Sequence, residues 1–213
     1  ARAYQLRGLA NSYLDRREEA VADCDQSLQI EESVQHLHTR ADVHSWFEDY
    51  VSAVRDCDRA IELAPESADC YAKRSNLLSE WHCESEVDDL LVRAIEDATQ
   101  AMALEPGKTD HIRCRGRSYL DLGRFDEAIA DLTRCMDLEP DFYLNYEIRG
   151  EAYLKVDRPE LALQDLTRAI ELNPESSYSY EYRAKAYRVV GQLRKADADE
   201  AKCRELDPVH YDD

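Results

Sequence analysis

Seven cysteines, six histidines and 46 aspartates and glutamates among 213 residues are the raw material for redox, metal or acid–base chemistry. Their spacing argues against most of it. Cys24, Cys57, Cys70, Cys83, Cys114, Cys135 and Cys203 form an odd set with no C-x-x-C pair, so neither a full disulfide framework nor a zinc ribbon fits. A reducing compartment, the cytoplasm, is the simpler expectation. His82 and Cys83 with Glu86 one turn on supply too few ligands for a closed metal site, and His36, His38 and His44 do not all share one helical face. No metal site is therefore expected. There is no G-x-S-x-G and no phosphate-cradling glycine loop, and the carboxylates are spread as helix-face charge rather than paired in an apolar cleft. The expectation is a chain with no enzymatic activity, no catalytic residue and no cofactor.

The charge balance narrows the partners. Against 46 acidic side chains stand 27 Lys and Arg, a formal net charge of −19, and such a field repels phosphate backbones and anionic headgroups. Nucleic acid is disfavoured. With 44% hydrophobic residues the composition is too apolar for a disordered acidic tail, so the charge decorates a folded body. No apolar run reaches the roughly 18 residues that a bilayer span needs, and the N-terminus lacks a signal pattern, so no membrane insertion is expected. The chain starts at Ala1, which suggests a processed chain or an excised piece of a longer one.

The elements that must position these side chains come from a repeat. The segment RGRSYLDLGRFDEAIADLTRCMDLEP, from Arg115 to Pro140, realigns on RGEAYLKVDRPELALQDLTRAIELNP, from Arg149 to Pro174, at an offset of 34 residues. Carried both ways, the template reads the chain as a single array over 1–213 with units 1–33, 34–67, 68–108, 109–142, 143–176 and 177–210. Apolar residues inside a unit recur at helical spacing, as in Ala128, Ile129, Leu132, Cys135 and Met136, so each unit reads as helix, turn, helix. Gly123 and Gly191 mark inter-helix turns, Pro159 sits at a first helical position, and Thr109 and Asp141 are placed to cap first helices. Neither helix of a pair can bury its stripe alone, so adjacent units must stack.

Two charged positions agree in all six units: Arg7, Arg40, Arg74, Arg115, Arg149 and Arg183, with Asp23, Asp56, Asp97, Asp131, Asp165 and Asp199. The leading reading is an Arg–Asp pair that fixes the register of a unit's two helices; the alternative is a ladder of arginines facing a ligand. The Ala20 slot is alanine throughout, and the Ser27 slot holds only Ser, Ala or Cys. Cys24, Cys57, Cys135 and Cys203 occupy such repeat slots and read as packing cysteines.

On these residues the chain resembles the tetratricopeptide repeat family: the 34-residue period, the small residue at the slot of Gly8, Ala41, Ser75, Gly116, Gly150 and Ala184, the alanine slot, and the proline closing five of the six units. Arginine stands where the family often has leucine, which looks like its Y-x-x-R-G variety. The resemblance implies an all-α fold, a right-handed α-solenoid superhelix of six helix-turn-helix repeats whose first helices line a peptide-holding concave groove.

Mapped onto that groove, the first-helix slots include Lys73, Asn76, Arg113, Arg117, Tyr178 and Tyr182, with Glu147 and Glu151 among the later ones. Gln5, Leu9 and Thr39 replace the residues with which chaperone-binding members clamp a terminal carboxylate, so that ligand is not the default. Arg113 and Arg117, four apart on one helical face, point to an acidic or phosphorylated segment; the alternative is that they pair with Asp110, Glu147 or Glu151. The function expected is a protein–protein interaction scaffold, and the alternative a regulatory or oligomerising segment of a larger protein.

Departures from the period carry the individuality. The third unit has 41 residues, and its surplus of seven is about two helical turns, read as a lengthened hairpin carrying Trp81 among acidic residues. Trp81 is either a docking knob for a basic partner or packed on its own helices. Asp197, Glu200 and Arg204 replace apolar residues on the last helix, as a terminal repeat requires. The first unit has no such rewriting, which leaves either preceding sequence or self-association through the N-terminal repeat as the expectation.

Overall fold

The computed structural model describes residues 1–208. Val209 and His210, assigned to the sixth unit, lie outside the described residues with the tail to Asp213. Among the described residues there are twelve helices and no strand: α1 (Arg2–Tyr13), α2 (Arg17–Ile30), α3 (Val34–Trp46), α4 (Tyr50–Leu63), α5 (Ala68–Ser85), α6 (Asp88–Leu104), α7 (Thr109–Asp121), α8 (Phe125–Leu138), α9 (Tyr143–Lys155), α10 (Pro159–Leu172), α11 (Ser177–Val189) and α12 (Leu193–Leu206). They pair as six helical hairpins, all-α throughout. The chain divides into two units, Ala1–Cys114 and the part from Arg115 onward, with the division inside α7.

Five of the six first helices stop by the same device. Asp15, Glu48, Gly123, Asp157 and Gly191, equivalent positions in five hairpins, all have φ between 56° and 77°. The next residue's amide then reaches back to a carbonyl five residues earlier, as in Arg16 to Asn11 and Arg158 to Tyr153, both 2.9 Å. This is a Schellman closure, and it satisfies carbonyls that the ended helix would leave orphaned. Pro159 opens α10 as its fixed φ favours. Asp141 does not cap α9: that helix begins behind Phe142 without a side-chain cap, and the Asp141 carboxylate instead meets Arg168 at 3.2 Å.

Within the first unit the core runs from hairpin to hairpin. Ala20, Cys24 and Val43 pack together, and Leu37, Ala60 and Cys70 form the next cluster. A larger cluster joins Ala41, Val54 and Cys57 to Leu77, Leu78 and Leu90 of the third hairpin. That hairpin is lengthened, α5 having 18 residues and α6 17. Trp81 packs against this last cluster, its ring stacked on Tyr50 with centroids 6.5 Å apart. In the second unit Leu120, Ala128, Leu132, Ile148 and Ala152 form one cluster and Ala162, Leu166 and Ala186 another.

The Arg–Asp ladder closes every hairpin. In all six, Nε and Nη2 of the arginine donate to the two carboxylate oxygens of the aspartate, at 2.5 to 2.9 Å. The hydrogen bonds from Arg7 hold the Asp23 carboxyl below its ordinary pKa. Nη1 adds a contact to the preceding hairpin: Arg40 to Asp25 at 2.6 Å, Arg74 to Asp58 at 2.7 Å, Arg149 to Thr133 at 2.9 Å and Arg183 to Thr167 at 3.5 Å. One guanidinium thus fastens its own hairpin and docks it on the one before. The Arg7 side chain, which makes no such contact here, is 63% exposed, whereas that of Arg149 is 15% exposed.

The small-residue slot is a volume match. A methyl group built on Gly150 would lie 2.7 Å from Cγ of Leu166, and one on Gly116 would lie 3.3 Å from Cγ of Leu132. Where the facing slot holds the smaller Cys57 or Ala98, the first helix carries Ala41 or Ser75 instead. Leu166 therefore leaves no room for a methyl at Gly150 and Leu132 leaves little at Gly116, while in the first hairpin it is Cys24 Sγ, 2.9 Å from a methyl built on Gly8, that closes the slot.

Two outcomes are expected in denaturant titrations. Asp165→Ala strands a largely buried guanidinium and should cost about 3–5 kcal/mol, whereas removing the solvent-exposed Glu32 partner of Arg59 should leave the midpoint nearly unmoved. Equal effects would refute the ladder's role. Gly150→Ala should destabilise by about 1–3 kcal/mol through overpacking, and adding Leu166→Ala should cost less than the sum of the two single changes.

Candidate peptide-binding site

The first helices of the first unit present ion pairs. Lys73 on α5 is paired with Asp42 on α3, and Asn76, one turn further along α5, is exposed. Gln5 on α1 donates to Oγ1 of Thr39 at 2.5 Å, so α1 and α3 are also bridged by polar side chains. Arg113, its side chain only 12% exposed, is ion-paired with Asp110 on the same helix. Lys108 reaches Asp69 at 2.7 Å.

In the second unit the first-helix side chains surround a cleft of about 440 Å³, lined by Arg117, Tyr143, Leu144, Glu147, Ile148, Glu151, Ser176, Tyr178 and Tyr182. Helical spacing puts Leu144, Glu147, Ile148 and Glu151 on one face of α9, opposite Tyr178 and Tyr182 of α11. Two buried carboxylates form its floor. Glu147 accepts hydrogen bonds from the hydroxyls of Ser176 and, at 2.5 Å, Ser179. Glu151 receives Nη1 of Arg117 at 3.2 Å and the Tyr182 hydroxyl. Burial, and next the negative charge of Glu151, push the Tyr182 phenol well above its ordinary pKa, so it stays a neutral donor. Buried charge is tolerated here because each carboxylate has its donors.

Arg117 is doubly engaged, meeting Asp121 at 3.0 Å as well as Glu151. Counted over the lining, two carboxylates face one guanidinium, so the cleft is acidic. Tyr178 is half exposed and offers a free aromatic face at its rim. The Tyr182 ring also carries the Lys185 ammonium 4.6 Å from its centroid.

The structure thus brings Arg117, Tyr178 and Tyr182 together and leaves Lys73, Asn76 and Arg113 in the first unit. Trp81 is half buried, packed on the cluster shared by the second and third hairpins and stacked on Tyr50 of α4. Glu147 was among the groove residues read from the sequence, but Tyr143 and the two serines that hold Glu147, Ser176 and Ser179, were not. A signal existed in the serine three residues before Ser179, since Ser176 caps α11 by accepting from the Ser179 amide. The repeat-slot cysteines Cys24, Cys57, Cys135 and Cys203 are all buried, and burial pushes the Cys24 and Cys57 thiols up to about 12, where they are inert at neutral pH. No described helix is long and apolar enough to cross a membrane.

Comparison with known proteins places this geometry. The profile described as "Tetratricopeptide repeat" matches residues 1–33, 115–142 and 145–176. No curated protein sequence matches the chain. Among solved structures, a tetratricopeptide repeat protein from Parabacteroides merdae ATCC 43184 superposes with a TM-score of 0.75 at 15% identity, over 96% of this chain and 77% of that one. MamA from Desulfovibrio magneticus RS-1 gives 0.70 at 14% identity, over 84% and 97%. A thermophilic tetratricopeptide repeat protein from Thermus thermophilus, TTC0263, gives 0.66 at 20% identity, over 89% and 98%. At these identities the likeness is one of fold. The family profile lies on three of the hairpins and all six are closed by the same Arg–Asp pair, so the chain carries tetratricopeptide repeats.

Proposed function

We propose that the chain is a protein-interaction scaffold and that the second unit's cleft receives an extended segment of a partner, led by a basic side chain. Tetratricopeptide repeats generally mediate protein–protein interactions, which supports the first half. The observation that carries the second is the excess of carboxylate over guanidinium among the cleft residues, beside the open ring of Tyr178. A lysine or arginine entering there meets Glu147 and Glu151 and stacks its stem or guanidinium on the tyrosine. The net charge of −19 draws such a segment in.

An acidic or phosphorylated segment was expected from Arg113 and Arg117. Both are already ion-paired, so it would have to displace Asp110, Asp121 or Glu151 from charge-assisted hydrogen bonds. The basic segment needs no such exchange.

A second reading, self-association through the first repeat, draws on α1, where Leu6 and Tyr13 are 58% and 72% exposed.

Fluorescence anisotropy with three labelled peptides of equal length, one lysine- and arginine-bearing, one neutral and one phosphorylated, tests the cleft. The basic peptide should bind, weaken with added salt, and lose about tenfold or more in affinity with Glu151→Gln or Tyr178→Ala. Binding of the phosphorylated peptide in preference to the basic one would overturn the charge assignment. Light scattering addresses the other surface: a dimer dissociated by Leu6→Ser and Tyr13→Ser supports self-association, and a concentration-independent monomer removes it.

A further inference from the structure

A second site lies in the first unit. Asp69 is in the first turn of α5, Glu105 follows α6, and His111 is in the first turn of α7. One ligand atom from each lies within 4.8 Å of the others. His111 is only 2% exposed, and its Nε2 is buried without a hydrogen-bond partner. That nitrogen stands 3.7 Å from Oε2 of Glu105, too far for a hydrogen bond and facing the carboxylate across a gap. A buried ring nitrogen left unpaired is costly, and two neighbouring carboxylates repel unless a cation lies between them. The Lys108 ammonium now serves the carboxylates, 2.7 Å from Asp69 and 3.4 Å from Glu105, but leaves the imidazole unsatisfied.

We propose that Asp69, Glu105 and His111 bind a divalent transition cation of the zinc, cobalt and nickel class, with Lys108 as a built-in competitor. One imidazole with two carboxylates suits these ions, whereas calcium and magnesium prefer oxygen-only shells. A metal ion would do what the ammonium does for the carboxylates and also take up the orphaned nitrogen. The route in is open: the side chains of Asp69 and Glu105 are 67% and 48% exposed, and Lys108, at 39%, has room to swing into solvent. Three protein ligands leave coordination positions for water or for a side chain of a bound partner.

The full chain carrying Cys83→Ser, so that this exposed thiol does not contribute, is titrated with cobalt(II) and then zinc(II). Visible absorption reports cobalt coordination and nitrogen NMR reports the His111 ring. The site predicts one ion per chain, a zinc-induced shift of the His111 Nε2 resonance, and at least about tenfold weaker binding in His111→Gln. Lys108→Gln should bind more tightly than its parent. Because His111 is buried, the exposed Asp69→Asn serves as the second variant and should also weaken binding about tenfold or more, with its helical circular dichroism unchanged. The proposal is overturned by the absence of saturable binding in both the parent and Lys108→Gln at millimolar metal. It is equally overturned by binding that leaves the His111 ring unshifted, which would place the ion on surface carboxylates alone.

Discussion

The bidentate bond between one arginine and one aspartate is what the rest of the molecule depends on. A hairpin of two short amphipathic helices has little to fix their relative slide, because small residues in the contact allow close approach but do not select a register. The planar guanidinium fork selects it. Its Nε and Nη2 meet both aspartate oxygens in each hairpin, and the aspartates are all buried. The cleft inherits its geometry from this. Arg149 sits on α9 between Glu147 and Glu151, so the pair that anchors α9 to α10 also sets the direction in which those two carboxylates point.

The remaining charges divide into two kinds. Surface pairs such as Arg124 with Glu127 lie close together along the chain and are exposed, so solvent screens them and they add little. The cleft carboxylates are the opposite case, sheltered and held in part by hydroxyl donors rather than by full counter-charges. Glu147 is satisfied by two serines without being neutralised. A hydroxyl answers a carboxylate's hydrogen bonding but not its charge, which is why the cleft retains a field that a partner can use.

Much of the fold was legible because the period repeats. Six arginines and six aspartates at matched slots announced a pair, the Ser27 slot, small in every unit, announced close helix contact, and the surplus in the third unit, free of Gly and Pro, announced longer helices. What stayed hidden lies at positions that do not repeat. The contact to the preceding hairpin goes to aspartate from Arg40 and Arg74 but to threonine from Arg149 and Arg183, so no single residue type flagged it. Ser176 with Glu147, and Glu105 with His111, join slots of different kinds in adjacent hairpins. Aligning a repeat on itself reveals what its copies share and is blind to what one copy says to the next. Asp141 failed as a cap for a local reason: α9 begins one residue later than expected, with Phe142 at the capping position.

The shared guanidinium also bears on cooperativity. In a linear array the free energy is usually separated into the intrinsic stability of each repeat and the coupling between neighbours, and weak coupling lets the ends fray one repeat at a time. Here the two quantities are written in the same side chain. When Arg149 lets go of Asp165 as its hairpin opens, its hold on Thr133 loses the anchor that aimed it, so internal opening and undocking are one event. Within each unit the hairpins are thereby driven toward melting as a block, and a partner that binds one first helix also steadies the hairpin before it.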